Sequence, residues 1–405
     1  MLEQEQSFFG WRTASCVTLV FLFVLLTPTL RHAAGAIYAI LFCLSLTYLP
    51  WRTSVFSVTE QKLLCLIVFL LFLAGLGSSL ANGWHDNALK GLGVQARYVA
   101  FIPIFLMLST LPNLAKYFWS GLVTGAFVLF LYCSYELWFL GADRVYGPYK
   151  SPGLVGLLAL IYSTVLLFAA MNPKATRVPS WLLWAAFASA VLSLALSGSR
   201  SVFITTVAMS LVMLSLQSSA RSRPVSLVIL GALTLALSLS EVGARQVFSA
   251  AQELASNFAA HGEGGSVSQR LDMWAVSLSI FMDHPIWGVG WRNFAAHASP
   301  FISMELRHPV LAAAPHPHNA YLNAAVTGGS VGLLTFVLVL VVPYLIAARW
   351  QEESPFYSAI ARAVLLVFAI NSLTEGGTLI YNNTASIYFF LLAVLFALMF
   401  KERVG

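Results

Sequence analysis

Apolar residues in this chain run in long unbroken stretches, and a stretch of about 18 or more is long enough to cross a bilayer as a helix. Twelve are predicted, near 12–30, 34–50, 61–81, 93–111, 117–140, 152–171, 180–198, 200–217, 224–240, 320–348, 357–375 and 383–400. None shows the period-two alternation that a membrane barrel requires. The first lacks a small-residue cleavage site and is followed at once by another span, so it reads as a retained helix and not a leader. The predicted fold is an all-α integral membrane protein of about twelve spans. Residues 1–240 hold nine spans, 241–319 form a large, partly helical outer loop, and 320–405 hold three more.

Inside the loop, Val242–Ala260 carries a helical stripe of Val247, Phe248, Ala251, Leu254 and Phe258. After a glycine-rich break at 261–265, a second helix is predicted over Ser268–Asp283. Its expected apolar face is Leu271, Trp274, Leu278 and Phe281, which leaves Arg270 and Ser277 off the stripe. Residues 283–294, from Asp283-His284-Pro285 to Arg292-Asn293-Phe294, read as a turn. With no third glycine after Gly290 and no preceding strand, they are not a dinucleotide fingerprint. The expected picture is two amphipathic helices lying over the outer face as a lid.

Composition strengthens the membrane reading: 59% of residues are hydrophobic and 9% charged, against about 25% charged in soluble domains. Arg12, Arg52, Lys62, Lys116, Lys174, Arg177, Arg221, Arg223, Arg349, Lys401 and Arg403 fall on one set of connections, which the positive-inside rule makes cytoplasmic, with both termini. This flank accounts for much of the net charge of +6, so nucleic acid is not an expected partner. Cys16, Cys43, Cys65 and Cys133 all lie in apolar spans and suggest neither disulfides nor a thiolate metal site.

A second basic population stays on the outer side: Lys90, Arg97, Arg144, Lys150, Arg200, Arg245, Arg270, Arg292 and Arg307, with Arg31 in a short outer connection. Because short outer loops normally avoid cations, their accumulation points to an anionic ligand. In Leu196-Ser197-Gly198-Ser199-Arg200-Ser201, small residues and one arginine separate two spans. Backbone nests and guanidinium forks both suit phosphate oxygens; snorkelling to lipid headgroups is the alternative for each cation singly. Arg144 and Lys150 sit in a turn-rich loop with Tyr146 and Tyr149, a mixture suited to sugar faces and phosphates, or to an ordinary interfacial aromatic belt.

The most informative string is His316-Pro317-His318-Asn319, followed by Thr327-Gly328-Gly329-Ser330-Val331-Gly332. A titratable group where water meets hydrocarbon is a functional-site candidate. A His-x-His pair without cysteine or acidic partners is a weak metal signal, and no Asp-x-Asp pair stands on the outer side. A histidine general base in a metal-free reaction is the better expectation.

His318-Asn319, nine residues, then Gly329-Ser330-Val331-Gly332 resembles the His-[Asn/Ser/Gln]-x9-Gly-x-x-Gly signature of the O-antigen ligases. The Ser-Gly-Ser-Arg-Ser turn and the Arg270…Asp283-His284-Pro285-Ile286-Trp287-Gly288-Val289-Gly290 block resemble the same superfamily, which includes O-antigen polymerases and protein O-oligosaccharyltransferases. The resemblance implies a GT-C-like, cofactor-free, metal-independent, inverting glycosyltransferase of the bacterial (Gram-negative) inner membrane with a periplasmic active site. Its donor would be undecaprenyl-diphosphate-linked O-antigen and its acceptor lipid A–core oligosaccharide. His318 would be the base and Arg200 and Arg270 the donor-diphosphate grip. Arg144, Lys150, Lys90, Arg97, Asn319, His316 and Arg292 are further candidates for substrate contact. Besides these substrates the expected partners are membrane lipids, and the expected assembly is a monomer. A polymerase or protein-directed transferase is the alternative within the superfamily. An anionic-lipid transporter is the alternative outside it, disfavoured by the lack of a convincing internal repeat and by the sparseness of midplane ionisable residues, with Arg362 and Glu136 as the exceptions.

Overall fold

The computed structural model describes residues 2–48, 59–84, 86–216, 228, 231, 266–302 and 316–402, and every regular element among them is helical. The helices are α1 (Leu2–Leu26), α2 (Ala33–Tyr48), α3 (Thr59–Ala81), α4 (Asp86–Thr110), α5 (Leu114–Ser134), α6 (Pro152–Met171), the single turn α7 (Pro173–Thr176), α8 (Ser180–Leu196) and α9 (Arg200–Leu216). After the described chain resumes come α10 (Ser266–Asp283), α11 (Phe294–Ile302), α12 (Ala320–Arg349), α13 (Pro355–Asn371) and α14 (Asn382–Glu402). Six are long and apolar enough to cross a membrane: α3, α4, α5 with its π-helical extension to Phe139, α6, α12 and α14. Shorter apolar helices cover five more of the predicted stretches. The stretch 224–240, apart from Val228 and Gly231, and the helix expected over 242–260 lie outside the described residues.

Two helices are sheathed by the others. Every residue from Thr384 to Phe400 of α14 and from Val155 to Ala170 of α6 is buried, as expected of helices that are apolar all round. α6 starts where Ser151 accepts a 3.3 Å bond from the Leu154 N–H and Pro152 occupies the first turn, both helix-start devices. Lipid offers apolar helices as good a surface as protein does, so close backbone approach has to drive their association. Gly121 and Gly125 provide it between α5 and α1. A Cβ at either would stand 2.8 Å from a carbonyl oxygen of α1, that of Phe21 or Val24.

The feature that governs the site is a break in α12. Gly329 adopts φ 63°, ψ −155°, a conformation essentially confined to glycine. Such a break frees backbone groups that cannot be left unpaired in an apolar interior. Residues 285–290 take them up. Ser330 N–H donates to Pro285 O (2.8 Å) and Val331 N–H to Ile286 O (3.4 Å), while Val326 O accepts from Val289 N–H (2.8 Å) and Thr327 O from Gly290 N–H (3.1 Å). The two donors and the two acceptors are the partners that an unbroken helix would have joined to each other. Gly288 permits the approach, since a Cβ there would lie 2.3 Å from Val326 O. The Ser78 hydroxyl of α3 bridges the junction, 2.8 Å from Trp287 O and 2.6 Å from Thr327 O.

This docking lays α10 along α12 and decides which face of α10 is covered. Met273, Val276 and Ile280 pack with Val289, Phe294, Ala298 and Val326. The expected face is corrected here: Leu271 is 55% and Leu278 47% exposed, whereas Ser277 is fully buried. α10 has apolar residues on more than one side, and Ser277 is tolerated inside because its hydroxyl donates to Met273 O at 2.6 Å.

Gly329→Ala should cost about 1–3 kcal/mol in dihedral strain alone, and its Cβ would meet Ile286 O at 2.2 Å. Thermal unfolding in detergent should show a much lowered midpoint or loss of monodisperse protein. Gly93→Ala, where a Cβ meets nothing within 4 Å, should melt at or above the wild-type temperature. Equal midpoints for the two variants would remove the break from its governing position.

Candidate active site

His318 stands immediately before α12, held from several directions. Asn319 caps the helix, its Oδ1 accepting from Tyr321 N–H (3.0 Å) and Leu322 N–H (3.1 Å). Ala320 N–H donates to Ser372 O at 2.7 Å and the Tyr321 hydroxyl to Ala369 O at 3.0 Å, which fixes the start of α12 against the end of α13. From the other side the Trp274 indole of α10 donates to Pro317 O at 3.0 Å. His318 itself has φ 50°, a left-handed conformation costly for a non-glycine residue. Its N–H donates to Nδ1 of His316 at 3.2 Å, which helps hold that conformation, and the two rings meet edge-on with centroids 4.7 Å apart.

The other half of the site comes from the α13–α14 connection. Glu375 Oε1 lies 4.0 Å from Arg270 Nη2 and accepts a 2.8 Å bond from the Ser201 hydroxyl. Ser201 follows Arg200 at the start of α9, so three stretches distant in sequence converge on one carboxylate. Burial holds the His318 imidazole below the ordinary histidine range, and the Arg270 charge acts the same way, while Glu375 pulls upward. A neutral imidazole beside a carboxylate can take up a proton and have the resulting cation stabilised. The Nδ1 atom of His318 is buried without a hydrogen-bond partner in the protein.

These groups open on a cavity of about 530 Å³, within the range of about 300–1,000 Å³ that seats small ligands. His318, His316 and Glu375 line it with Arg292, Arg31, His32 and a polar wall that includes Asn371, Thr378 and Asn382. Arg292, with φ 57°, lies over the Tyr381 ring at 5.6 Å, and His316 meets the same ring edge-on at 5.6 Å. Among the described residues, no three His, Cys, Asp or Glu side chains gather closely enough to hold a metal ion.

The candidate residues thus divide. His316, His318 and Arg292 share the cavity wall, Arg270 reaches it through Glu375, and half-buried Arg200 adjoins it through Ser201. Asn319 is committed to the helix cap. Lys90, Arg97, Arg144 and Lys150 do not line this cavity. Arg97 donates to Ser386 Oγ of α14 (3.0 Å) and to the Gly93 carbonyl one turn back in its own helix. Arg144 stacks on Tyr146 at 5.0 Å, and Lys90 and Lys150 are exposed. Sequence reasoning passed over Glu375, Arg31 and His32 as site residues. The signal for Glu375 was available: a lone acid ending an apolar stretch, followed by two glycines.

His316 is deeply buried, and desolvation, aided by His318 and Arg292, pushes its pKa down to about 3. The unfolded chain binds this proton near 6.5, the folded chain only near 3, so stability is lost as pH falls through that interval. The melting midpoint should decline from about pH 6.5 downward, and His316→Asn should decline less steeply. Parallel profiles for the two proteins would show that His316 is not held neutral by burial.

No curated protein matches the chain. Residues 184–337 match the family model described as O-antigen ligase, an interval that takes in Arg200, Arg270 and the whole of His316–Gly332. With its membrane-length apolar helices, the chain is a multi-pass membrane protein, and over residues 184–337 it is similar to the O-antigen ligase family.

Proposed function

We propose that this protein transfers O-antigen polysaccharide from undecaprenyl diphosphate to lipid A–core oligosaccharide. The site would face the periplasm of a bacterial inner membrane, with both termini cytoplasmic. The observation that carries the reading is the convergence of His318, Glu375 and Arg270 beside one polar cavity. The basic residues of the short connections support the orientation.

In this reading the diphosphate is already a good leaving group, so the protein has two tasks. It removes a proton from the acceptor hydroxyl as that oxygen attacks the anomeric carbon, and it stabilises charge growing on the departing diphosphate. His318 Nε2 takes the proton; burial keeps the ring neutral beforehand, and Glu375 stabilises the imidazolium afterwards. Arg270, with Arg200 nearby, receives the diphosphate, for which a guanidinium fork is better shaped than an ammonium. The C–O bond to the diphosphate breaks as the new glycosidic bond forms on the opposite face, so the anomeric configuration inverts.

With purified protein, carrier-linked glycan and acceptor, His318→Ala should lower transfer by about 10²–10⁴-fold, the usual worth of a positioned base, while donor binding persists. Arg270→Ala should cost on the order of a hundredfold, with Arg270→Lys recovering only part. Glu375→Gln removes the influence that raises the His318 pKa, so the acid limb of the pH–rate profile should move to lower pH. Unchanged transfer by His318→Ala would sink the base assignment. In cells lacking the gene, fully polymerised glycan should remain on its carrier; single repeat units there would indicate a polymerase instead.

A further inference from the structure

The basic residues that share a wall with His318 are not the ones assigned to the donor. Arg200 and Arg270 lie outside the wall of the 530 Å³ cavity, whereas Arg31 and His32, in the turn between α1 and α2, are part of it. We propose that Arg31 and His32 form a second anionic subsite, which binds a phosphate or sugar carboxylate carried by the acceptor glycolipid. The inference rests on the transferase reading and extends it to the second substrate.

Three observations lead there. First, the turn is anchored through its backbone: the Tyr149 hydroxyl donates to Thr27 O at 2.6 Å, and Asn383 Nδ2 donates to Arg31 O at 3.0 Å. Both side chains are exposed, and among the described residues no carboxylate pairs with Arg31. A pinned backbone presenting unneutralised charge into a cavity suits anion capture. Second, the base must touch the molecule it deprotonates, so the basic residues lining the cavity with His318 belong with the acceptor. The donor diphosphate has Arg270, which adjoins the site through Glu375, and Arg200, whose neighbour Ser201 bonds the same carboxylate. Third, Leu154 and Leu157 of α6 line the same cavity beside Ser151 and Asn383. A wall that passes from hydrocarbon to polar groups fits an amphiphile whose head lies at the membrane surface.

The test separates the two substrates. Initial rates would be measured for wild type, Arg31→Ala, Arg31→Lys and Arg31→Ala/His32→Ala, varying donor and lipid A–core acceptor in turn. The acceptor would be used intact, dephosphorylated and carboxyl-reduced. The alanine variants should raise the acceptor KM tenfold or more, leave kcat and the donor KM near wild type, and be partly rescued by lysine. On the acceptor form that lacks the bound group, wild type and variants should coincide, and that form identifies phosphate or carboxylate as the ligand. A rise in donor KM instead, or wild-type kinetics in the double variant, would overturn the proposal. So would a defect that persists on both neutralised acceptors. Acceptor binding to the same proteins in nanodiscs needs no turnover. If the wild type shows no transfer but binds intact acceptor through Arg31, the transferase reading fails and the subsite stands.

Discussion

The site depends on one exchange of backbone hydrogen bonds. Gly329 interrupts α12, and the four peptide groups this releases are met by the segment Pro285–Gly290. In a membrane protein such an arrangement is strongly specified, because each unpaired group in an apolar interior costs several kcal/mol. It also has a direction. α10 ends where the docking segment begins, so pairing 285–290 to the break lays α10 against α12. Trp274 and Arg270 then face the turn that carries His318, Trp274 through Pro317 and Arg270 through Glu375. Two indoles make the docking hard to slide. Trp287 lies over Gly77 and Trp291 over Gly91, so the helices α3 and α4 accept large rings only where they lack a Cβ.

The electrostatics follow from that geometry. An isolated arginine at the mouth of an apolar helix bundle is expensive, and a lone buried histidine simply stays neutral. Glu375 changes both conditions. It offsets the charge of Arg270 and raises the proton affinity that burial and Arg270 have lowered at His318. It does so while anchored by Ser201, from the turn that also carries Arg200. One carboxylate therefore sets the spacing of three elements and the protonation behaviour of the ring between them. His316 takes a different part. Buried and held neutral, it lends a ring nitrogen to the His318 N–H and fills the space beside Gly376, where a Cβ would stand 2.2 Å from its Nδ1. His318 and Glu375 are thus spaced partly by an imidazole that burial keeps neutral.

What was legible in the chain was what length and hydrophobicity decide. Eleven of the twelve apolar stretches coincide with apolar helices, because the cost of exposing a peptide group to lipid leaves an apolar run little other choice. The Arg200 turn, Arg270 and His318 were singled out by unusual outer cations and by resemblance to a spaced signature; Glu375, which ties Arg270 to Ser201, was not. The break in α12 was not, because two glycines inside a continuous apolar run read equally well as helix. Nor was the covered face of α10, where Met273, Val276 and Ile280 compete with Leu271 and Leu278, and only tertiary docking chooses between them. Glu375 was hidden by position: it closes a stretch read as a span, and its partners lie over 100 residues away, at Arg270 and Ser201.

The His-Asn-x9-Gly-x-x-Gly spacing can now be sorted by what each position does. Asn319 caps α12, a task that its short side-chain oxygen performs well. Gly329 makes the break, and Gly332 keeps the chain after it close, since a Cβ there would lie 2.9 Å from Ala324 O. The interval between cap and break is less than three turns of helix, short enough to act as a rigid strut. One end of the strut bears His318, and the other bears the groups that hold α10 and with it Arg270. A fixed spacing in sequence therefore becomes a fixed distance between the His318 imidazole and the Arg270 guanidinium. Of the motif's residues only His318 lines the cavity; the rest of the pattern is spent on where that ring stands.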